Sequence, residues 1–391
     1  MRLPRAAFSI AFLVLVSMAC ICLVPSIFRG GVLRSAARKG LIASTVVERI
    51  QKGIPLSSFF VWLNGGACRA AGRRICNKRM RYVNGMLGRP YLPKQDEKDM
   101  TASPEYRAMA DLARDLDRLG IPFLFALAPC KMDDNMQLFP EGWVGGNPNA
   151  DGRDLIACLE KCGVSTLDFT RRFAATSEAV TESFYFTDHH WKIRSAFAAA
   201  TSIVEKLSVM LGVQGGMELA DIRMEDWEWR TVPDGFIGSH GRRTGSMFSG
   251  IDDFEYAVPR FATQMERIRP AAGICLTGDF SRVEIAAKNL LPSAILKRYQ
   301  VYCGPDFGYQ IHRNSSSRRP QRIMVVKDSF GKPIVSFLAA LFREVVEVDC
   351  RYLSNGETLL SLVARHRPDV VVRVANPSTL HFEAGKEEER R

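Results

Sequence analysis

Two short runs in this chain are apolar without interruption, residues 121–128 (IPFLFALA) and 323–326 (IMVV). Two more, 345–348 (VVEV) and 370–374 (VVVRV), are nearly so. Runs of this length lack the alternation of a strand with one wet face, so they read as strands buried on both faces. Between them lie helical patterns. Residues 105–119 place Met109, Leu112, Leu116 and Leu119 on one side, and Gly120 ends the pattern. Further helices are expected over 154–161, 193–211, 334–342 and 358–365, with strands at 164–169 and 184–186. Strand and helix in alternation predict an α/β domain, a parallel sheet with helices on both faces.

Residues 101–380 form that domain in this reading. Within it, 212–320 is Gly-, Pro- and Arg-rich in places and reads as an irregular insertion beside the sheet, and 381–391 is a charged tail. No internal repeat is present.

The formal net charge is +11, but it is unevenly placed. Residues 1–100 hold 17 Lys and Arg against 4 Asp and Glu, and the rest hold 36 against 38. The domain is close to neutral, which excludes a diffuse nucleic-acid-binding surface. The basic residues flank residues 6–28, a stretch of 23 residues with no charged side chain. As a helix this stretch is about 34 Å long, enough for a bilayer core of about 30 Å. With Arg2 and Arg5 ahead of it, residues 1–28 read as an uncleaved signal anchor; a cleaved signal peptide is the alternative.

Residues 29–100 read as a basic membrane-proximal helical segment, with 31–60 as an amphipathic helix on anionic lipid. Arg29, Arg34, Arg38 and Lys39 outnumber Arg2 and Arg5, and positive-inside counting alone places the domain in the cytoplasm. The chemistry below favours export. The 10 Cys do not decide the compartment: no paired zinc spacing is present, and disulfides and buried free thiols are both open.

Two segments fit the rule that active groups gather at strand exits. In the first, Asp328-Ser329-Phe330-Gly331 follows the strand at 323–326 and precedes a helix. This exposes the Ser329 hydroxyl and aims free N–H groups at one point, as an oxyanion requires. The bland reading is that Asp328 or Ser329 caps the helix. In the second, Asp188 and His190 stand two apart in Thr187-Asp188-His189-His190-Trp191. A serine nucleophile needs a base, and the base needs an acceptor that fixes its tautomer. A metal site at Asp188, His189 and His190 is disfavoured, since adjacent residues rarely converge on one ion. Gly278-Asp279-Phe280-Ser281 is a weaker serine block, and His312, His366 and His381 read as surface or structural residues.

The Thr187–Trp191 motif resembles the signature of the DHHW proteins, which are similar to the alginate O-acetylation proteins of the AlgX/AlgJ type. Three further segments agree in order. Pro129-Cys130-Lys131 with Phe139-Pro140-Glu141 resembles the family's Pro-x-Lys and Tyr-Pro-Glu segment, Gly238-Ser239-His240-Gly241-Arg242-Arg243 its Gly-Ser-x-x-Arg-Arg loop, and Lys327-Asp328-Ser329-Phe330-Gly331 its serine block. Val374-Ala375-Asn376-Pro377 stands where family members often carry a Glu-Arg pair.

The resemblance implies an SGNH-hydrolase-like, flavodoxin-like sheet with Ser329 as nucleophile, His190 as base and Asp188 as its orienter. Arg242, Arg243 and Lys131 would line the substrate side, with Trp191 packed beneath the site. It also implies acetyl transfer to hydroxyls of a cell-surface polysaccharide; with the anchor read from residues 6–28, the chain reads as a single-pass membrane protein whose domain is extracytoplasmic. A multi-spanning membrane partner would supply the acetyl group, with no cofactor or metal. The alternatives are an acetylesterase with the same triad and a non-catalytic glycan-binding subunit.

Overall fold

The computed structural model describes residues 57–77, 80–83, 86–88, 100–131, 147–212, 222–354 and 356–380. The apolar stretch at 6–28, the segment 29–56, Phe139-Pro140-Glu141 and the tail lie outside them. Among the described residues no helix is long and apolar enough to cross a membrane.

In chain order, α1 (Ser57–Ala70) precedes a small antiparallel sheet of β1 (Ile75–Asn77), β2 (Met80–Val83) and β3 (Met86–Gly88). Next come α2 (Pro104–Arg118), β4 (Phe123–Leu127), α3 (Pro148–Lys161), β5 (Ser165–Asp168), α4 (Thr170–Phe173), α5 (Ser177–Ser183) and α6 (Ile193–Met210). The middle of the chain holds β6 (Trp227–Phe236), α7 (Ser239–Thr244), α8 (Ser246–Ser249), β7 (Asp252–Pro259), β8 (Met265–Arg269), β9 (Ile274–Gly278) and α9 (Phe280–Val283). The rest is β10 (Tyr309–Asn314), β11 (Arg319–Lys327), α10 (Lys332–Leu341), β12 (Phe342–Val348), α11 (Leu359–His366) and β13 (Val370–Ala375).

The main sheet has eight strands in the order β5-β4-β13-β11-β12-β10-β8-β9. The first five are parallel. Their burial alternates as the pleat demands. Leu124, Ala126, Ile323, Val325, Val370 and Val372 face one core with α6 and α10. Phe125, Leu127, Met324, Val326 and Val371 face the other with α2, α3 and α11. Two covered faces explain the continuous apolar runs. Local signals set the ends: Ser103 accepts from the Tyr106 N–H at the start of α2, and Gly120 at φ +66° closes the turn after it.

Four expectations change. Part of the segment 29–100, read as helical, is strand, because β1, β2 and β3 lie within it. In chain order the parallel strands lie 2-1-5-3-4, not the flavodoxin 2-1-3-4-5, because β13 inserts between β4 and β11. Residues 212–320 lie beside the sheet only in part: β6 and β7 form a separate two-stranded sheet, but β8, β9 and β10 extend the main sheet as antiparallel strands. Residues 184–186 are not a strand; a single bridge between Phe184 and Trp191 closes a loop there.

A buried ionic chain joins the two parts of the sheet. Lys327 at the end of β11 lies 3.1 Å from Asp306, Glu347 and Asp349. Glu347 on β12 meets His312 on β10 at 3.2 Å, and His312 meets Glu284 at 2.8 Å. Glu284 also accepts from Ser336 and Cys303. His312, read as a surface or structural residue, is fully buried. Burial opposes its charge, but Glu284 and Glu347 raise its pKa to about 9.

A raised histidine stabilises the fold below its unfolded value of 6.5 and loses that contribution as pH climbs through 9. Denaturant unfolding should therefore show stability falling by about 3 kcal/mol between those values. His312→Gln should flatten the dependence and lower stability at pH 6 by about 3 kcal/mol, because two buried carboxylates lose their partner. An unchanged pH profile in that variant would remove His312 from this role.

Candidate active site

Ser329 stands directly past the end of β11. Asp328 adopts an extended backbone, and its carboxylate accepts from the Phe330 N–H at 2.8 Å, which caps the turn Ser329–Gly331 leading into α10. Its other oxygen accepts from the Asn376 N–H at 2.7 Å and the Thr379 hydroxyl at 2.6 Å. Asn376 donates in turn to the Pro129 carbonyl at 2.7 Å. The exits of β11, β13 and β4 are thereby tied together, and Asn376 fills the place where the resemblance led to a Glu-Arg pair. The N–H groups expected to be free are partly engaged: Asp328 binds those of Phe330 and Gly331.

The Thr187–Trp191 loop is held from three directions. Asp252 accepts from the N–H groups of Phe186 and Thr187 and from the Thr187 hydroxyl. Thr187 Oγ1 accepts from the Gly238 N–H, and its carbonyl from those of His240 and Gly241. Lys131, buried, donates to the carbonyls of Tyr185, Phe186 and Asp188 at 2.7, 2.8 and 2.9 Å. Burial pushes its pKa down to about 7, against the pull of Asp252 and Asp188. Its three acceptors call for all three N–H bonds of the ammonium.

These ties bring Asp188, His190 and Ser329 into line. Asp188 Oδ2 lies 2.9 Å from His190 Nδ1, and His190 Nε2 lies 2.8 Å from Ser329 Oγ. Asp188 Oδ1 accepts from the Ser239 N–H and hydroxyl, from the His189 N–H, and lies 2.9 Å from His189 Nδ1. Burial opposes ionisation of Asp188, but His190, His189 and their hydrogen bonds hold it well below the usual carboxylate range. Burial, with His189 beside it, lowers His190 to about 4 despite Asp188. His190 is therefore neutral at neutral pH, with Ser329 Oγ at its free nitrogen. The Tyr299 ring lies flat against it, with centroids 3.9 Å apart and 15° between the planes. Ser329 is half-buried, within reach of solvent.

The other expected site residues fall in different places. Arg242 and Arg243 are exposed on α7, whose first residue Ser239 binds Asp188. Lys131 does not line a substrate surface; it holds backbone. Trp191 is fully buried against Phe169, Phe173 and Phe330 and donates to the Phe330 carbonyl at 3.1 Å, so it packs beneath the site as expected and links the two loops. Asp279 caps α9 beside β9, at the outer edge of the sheet.

Asp188, His189 and His190 have ligand atoms within 4.8 Å of one another, as do Glu284, Cys303 and His312. In the first group the carboxylate oxygens are already committed to the two rings. In the second, Glu284 is bound by His312, Ser336 and Cys303. The eight described cysteines are free thiols. Asp252, Ser239, Tyr299 and Asn376 escape sequence reading, although Gly238-Ser239 lies in a segment the resemblance singled out.

Residues 89–225 match a family model described as the SGNH hydrolase-like domain of acetyltransferase AlgX. That segment includes Asp188 and His190 and ends before Ser329. No match is found among curated proteins. Among solved structures, PatB1 of Bacillus cereus is similar at a TM-score of 0.61 and 19% identity, over 78% of this chain and 97% of that one. PatB1 with a sulfonyl adduct matches at 0.60 and 18%, over 77% and 94%. A DHHW family protein from Eubacterium siraeum matches at 0.59 and 15%, over 79% and 94%. The likeness to the DHHW and AlgX type read from the motifs is borne out: residues 89–225 match the AlgX-type model, and the fold is similar to that of the DHHW family protein.

Two measurements check this geometry. A Cβ added at Gly238 would lie 2.2 Å from Asp188 Cβ, so Gly238→Ala should cost about 1–3 kcal/mol in thermal unfolding. A variant as stable as the parent would mean the loop does not press on Asp188. NMR titration of His190 should show a neutral ring until the pH falls to about 4. An ordinary titration near 6.5 would mean the ring is solvated rather than buried.

Proposed function

We propose that the chain is a membrane-anchored, extracytoplasmic O-acetyltransferase that acylates Ser329 and passes the acetyl group to a hydroxyl of a cell-surface polysaccharide. The observation that carries this reading is the unbroken line Asp188–His190–Ser329, at 2.9 and 2.8 Å. In the first half-reaction His190 Nε2 takes the Ser329 proton as Oγ attacks the acetyl carbonyl. The Ser329 N–H is the donor we assign to the developing oxyanion. The tetrahedral intermediate collapses, the donor oxygen leaves with the proton from His190, and acetyl-Ser329 remains. In the second, a glycan hydroxyl gives its proton to His190, attacks the ester carbonyl and departs acetylated as the proton returns to Ser329. Asp188 stays ionised and keeps the tautomer with Nδ1–H.

A neutral His190 is ready to accept a proton at neutral pH, and the flat Tyr299 face offsets some cost of the imidazolium that forms. Arg242 and Arg243 are the proposed glycan contacts on the exposed side of α7. The sulfonyl adduct of PatB1 supports the reading by analogy, since sulfonyl reagents modify activated hydroxyls. The acetyl donor is assigned to a multi-spanning membrane partner.

Ser329→Ala should abolish acetylation of the surface polysaccharide while the protein still accumulates; intact acetylation would leave a binding or scaffold role. Purified protein given an acetyl ester and an acceptor glycan should form acetylated glycan; acetate release without transfer would mean an esterase. The rate should fall on the acid side near pH 4, as His190 gains its proton. Asp188→Asn should lower kcat on the order of 10⁴-fold.

A further inference from the structure

α1 carries its apolar residues on the wrong side for a soluble domain. Phe59, Phe60, Trp62 and Leu63 are 46, 42, 39 and 45% exposed. At about 100° per residue they cover one arc of the helix. Gly65 and Cys68, on the opposite arc, are the residues buried against α7 and α8. Met247, also exposed, continues the patch from the adjoining segment and touches α1 at Gly66.

Charge points to what covers this face. Between Glu48 and Asp96 the sequence holds ten Lys and Arg and no acidic residue. Arg73 and Arg74 are exposed directly after α1, and Arg242 and Arg243 on α7 beside it. The chain outside the described residues ends at residue 56, at the foot of the patch, and it contains the uncharged stretch 6–28. Exposed aromatic side chains rimmed by arginine suit the boundary between headgroups and acyl chains of an anionic bilayer.

We propose that α1 lies in that boundary, with its aromatic face in the lipid and Arg73 and Arg74 on lipid phosphates. The proposal rests on the membrane-anchored reading above and adds the orientation of the site. α1 is rigidly joined to the catalytic loop. A Cβ on Gly245 would lie 2.7 Å from Trp62 Cα, and α7 begins at Ser239, which binds Asp188. Docking α1 therefore fixes Ser329 close to the bilayer surface, where it serves acetyl groups and glycan hydroxyls presented at the membrane.

The full chain in phosphatidylglycerol-containing vesicles provides the test. The part of the tryptophan emission lost in Trp62→Phe should be quenched roughly twofold by lipids brominated near the headgroup. It should be quenched less in zwitterionic vesicles or in Arg73→Glu/Arg74→Glu. Phe59→Ser/Trp62→Ser should reduce acetyl transfer in vesicles several-fold and leave hydrolysis of a soluble ester unchanged.

Protein that floats with the vesicles after alkaline washing, yet shows no quenching at Trp62, would overturn the docking and leave the anchor standing. The same result with cross-links between copies through residue 62 would assign the face to a second copy, which also overturns it. Protein released by the wash would remove both the anchor and the docking.

Discussion

A carboxylate buried as deeply as Asp188 can stay ionised only where donors surround it, and this requirement organises the site. Its oxygens take the rings of His189 and His190, the His189 N–H, and the N–H and hydroxyl of Ser239. Those donors come from parts of the chain about fifty residues apart, so the charge draws the start of α7 onto the Thr187–Trp191 loop. Gly238 answers the same demand, because no side chain fits between the α7 entrance and Asp188. His190 can then face only one way, with Nδ1 on Asp188 and Nε2 on Ser329.

Around this node the fold places rigid ties rather than ligand-binding groups. Lys131 holds three carbonyls of the loop, Asp252 holds its amides, and Trp191 fastens it to the Phe330 carbonyl beside Ser329. On the other side of the turn, Asp328 and Asn376 lock three strand exits together. Behind it, Lys327 starts the ionic chain that runs through Glu347 and His312 to Glu284. Catalytic geometry of this kind depends on such supports as much as on the reacting groups.

Much of this was legible in the sequence because it rests on local patterns. The apolar runs marked the central strands, whose two covered faces leave no room for alternation. Asp188, His190 and Ser329 were legible because the Thr187–Trp191 motif and the Asp328–Gly331 block, in that order, resemble those of the DHHW proteins. What escaped depends on contacts distant in sequence. β8 and β10 contain Arg267, Arg269, Gln310 and His312, which look like surface residues until their partners are known. The strand order stayed hidden because β13, last in the chain, enters the middle of the sheet. Asp252 and Tyr299 were silent because a lone aspartate or tyrosine in an irregular segment carries no pattern, and Lys131 was assigned to the substrate side because burial cannot be read from its type.

The central claim is that Ser329 carries the acetyl group between donor and acceptor. Its most direct test is peptide mass analysis of the protein quenched in acid shortly after mixing with an acetyl ester. The account predicts one acetyl group on the peptide containing Ser329, lost when acceptor glycan is added and not formed in His190→Ala. Turnover with acetyl found on another residue, or on none, would contradict it.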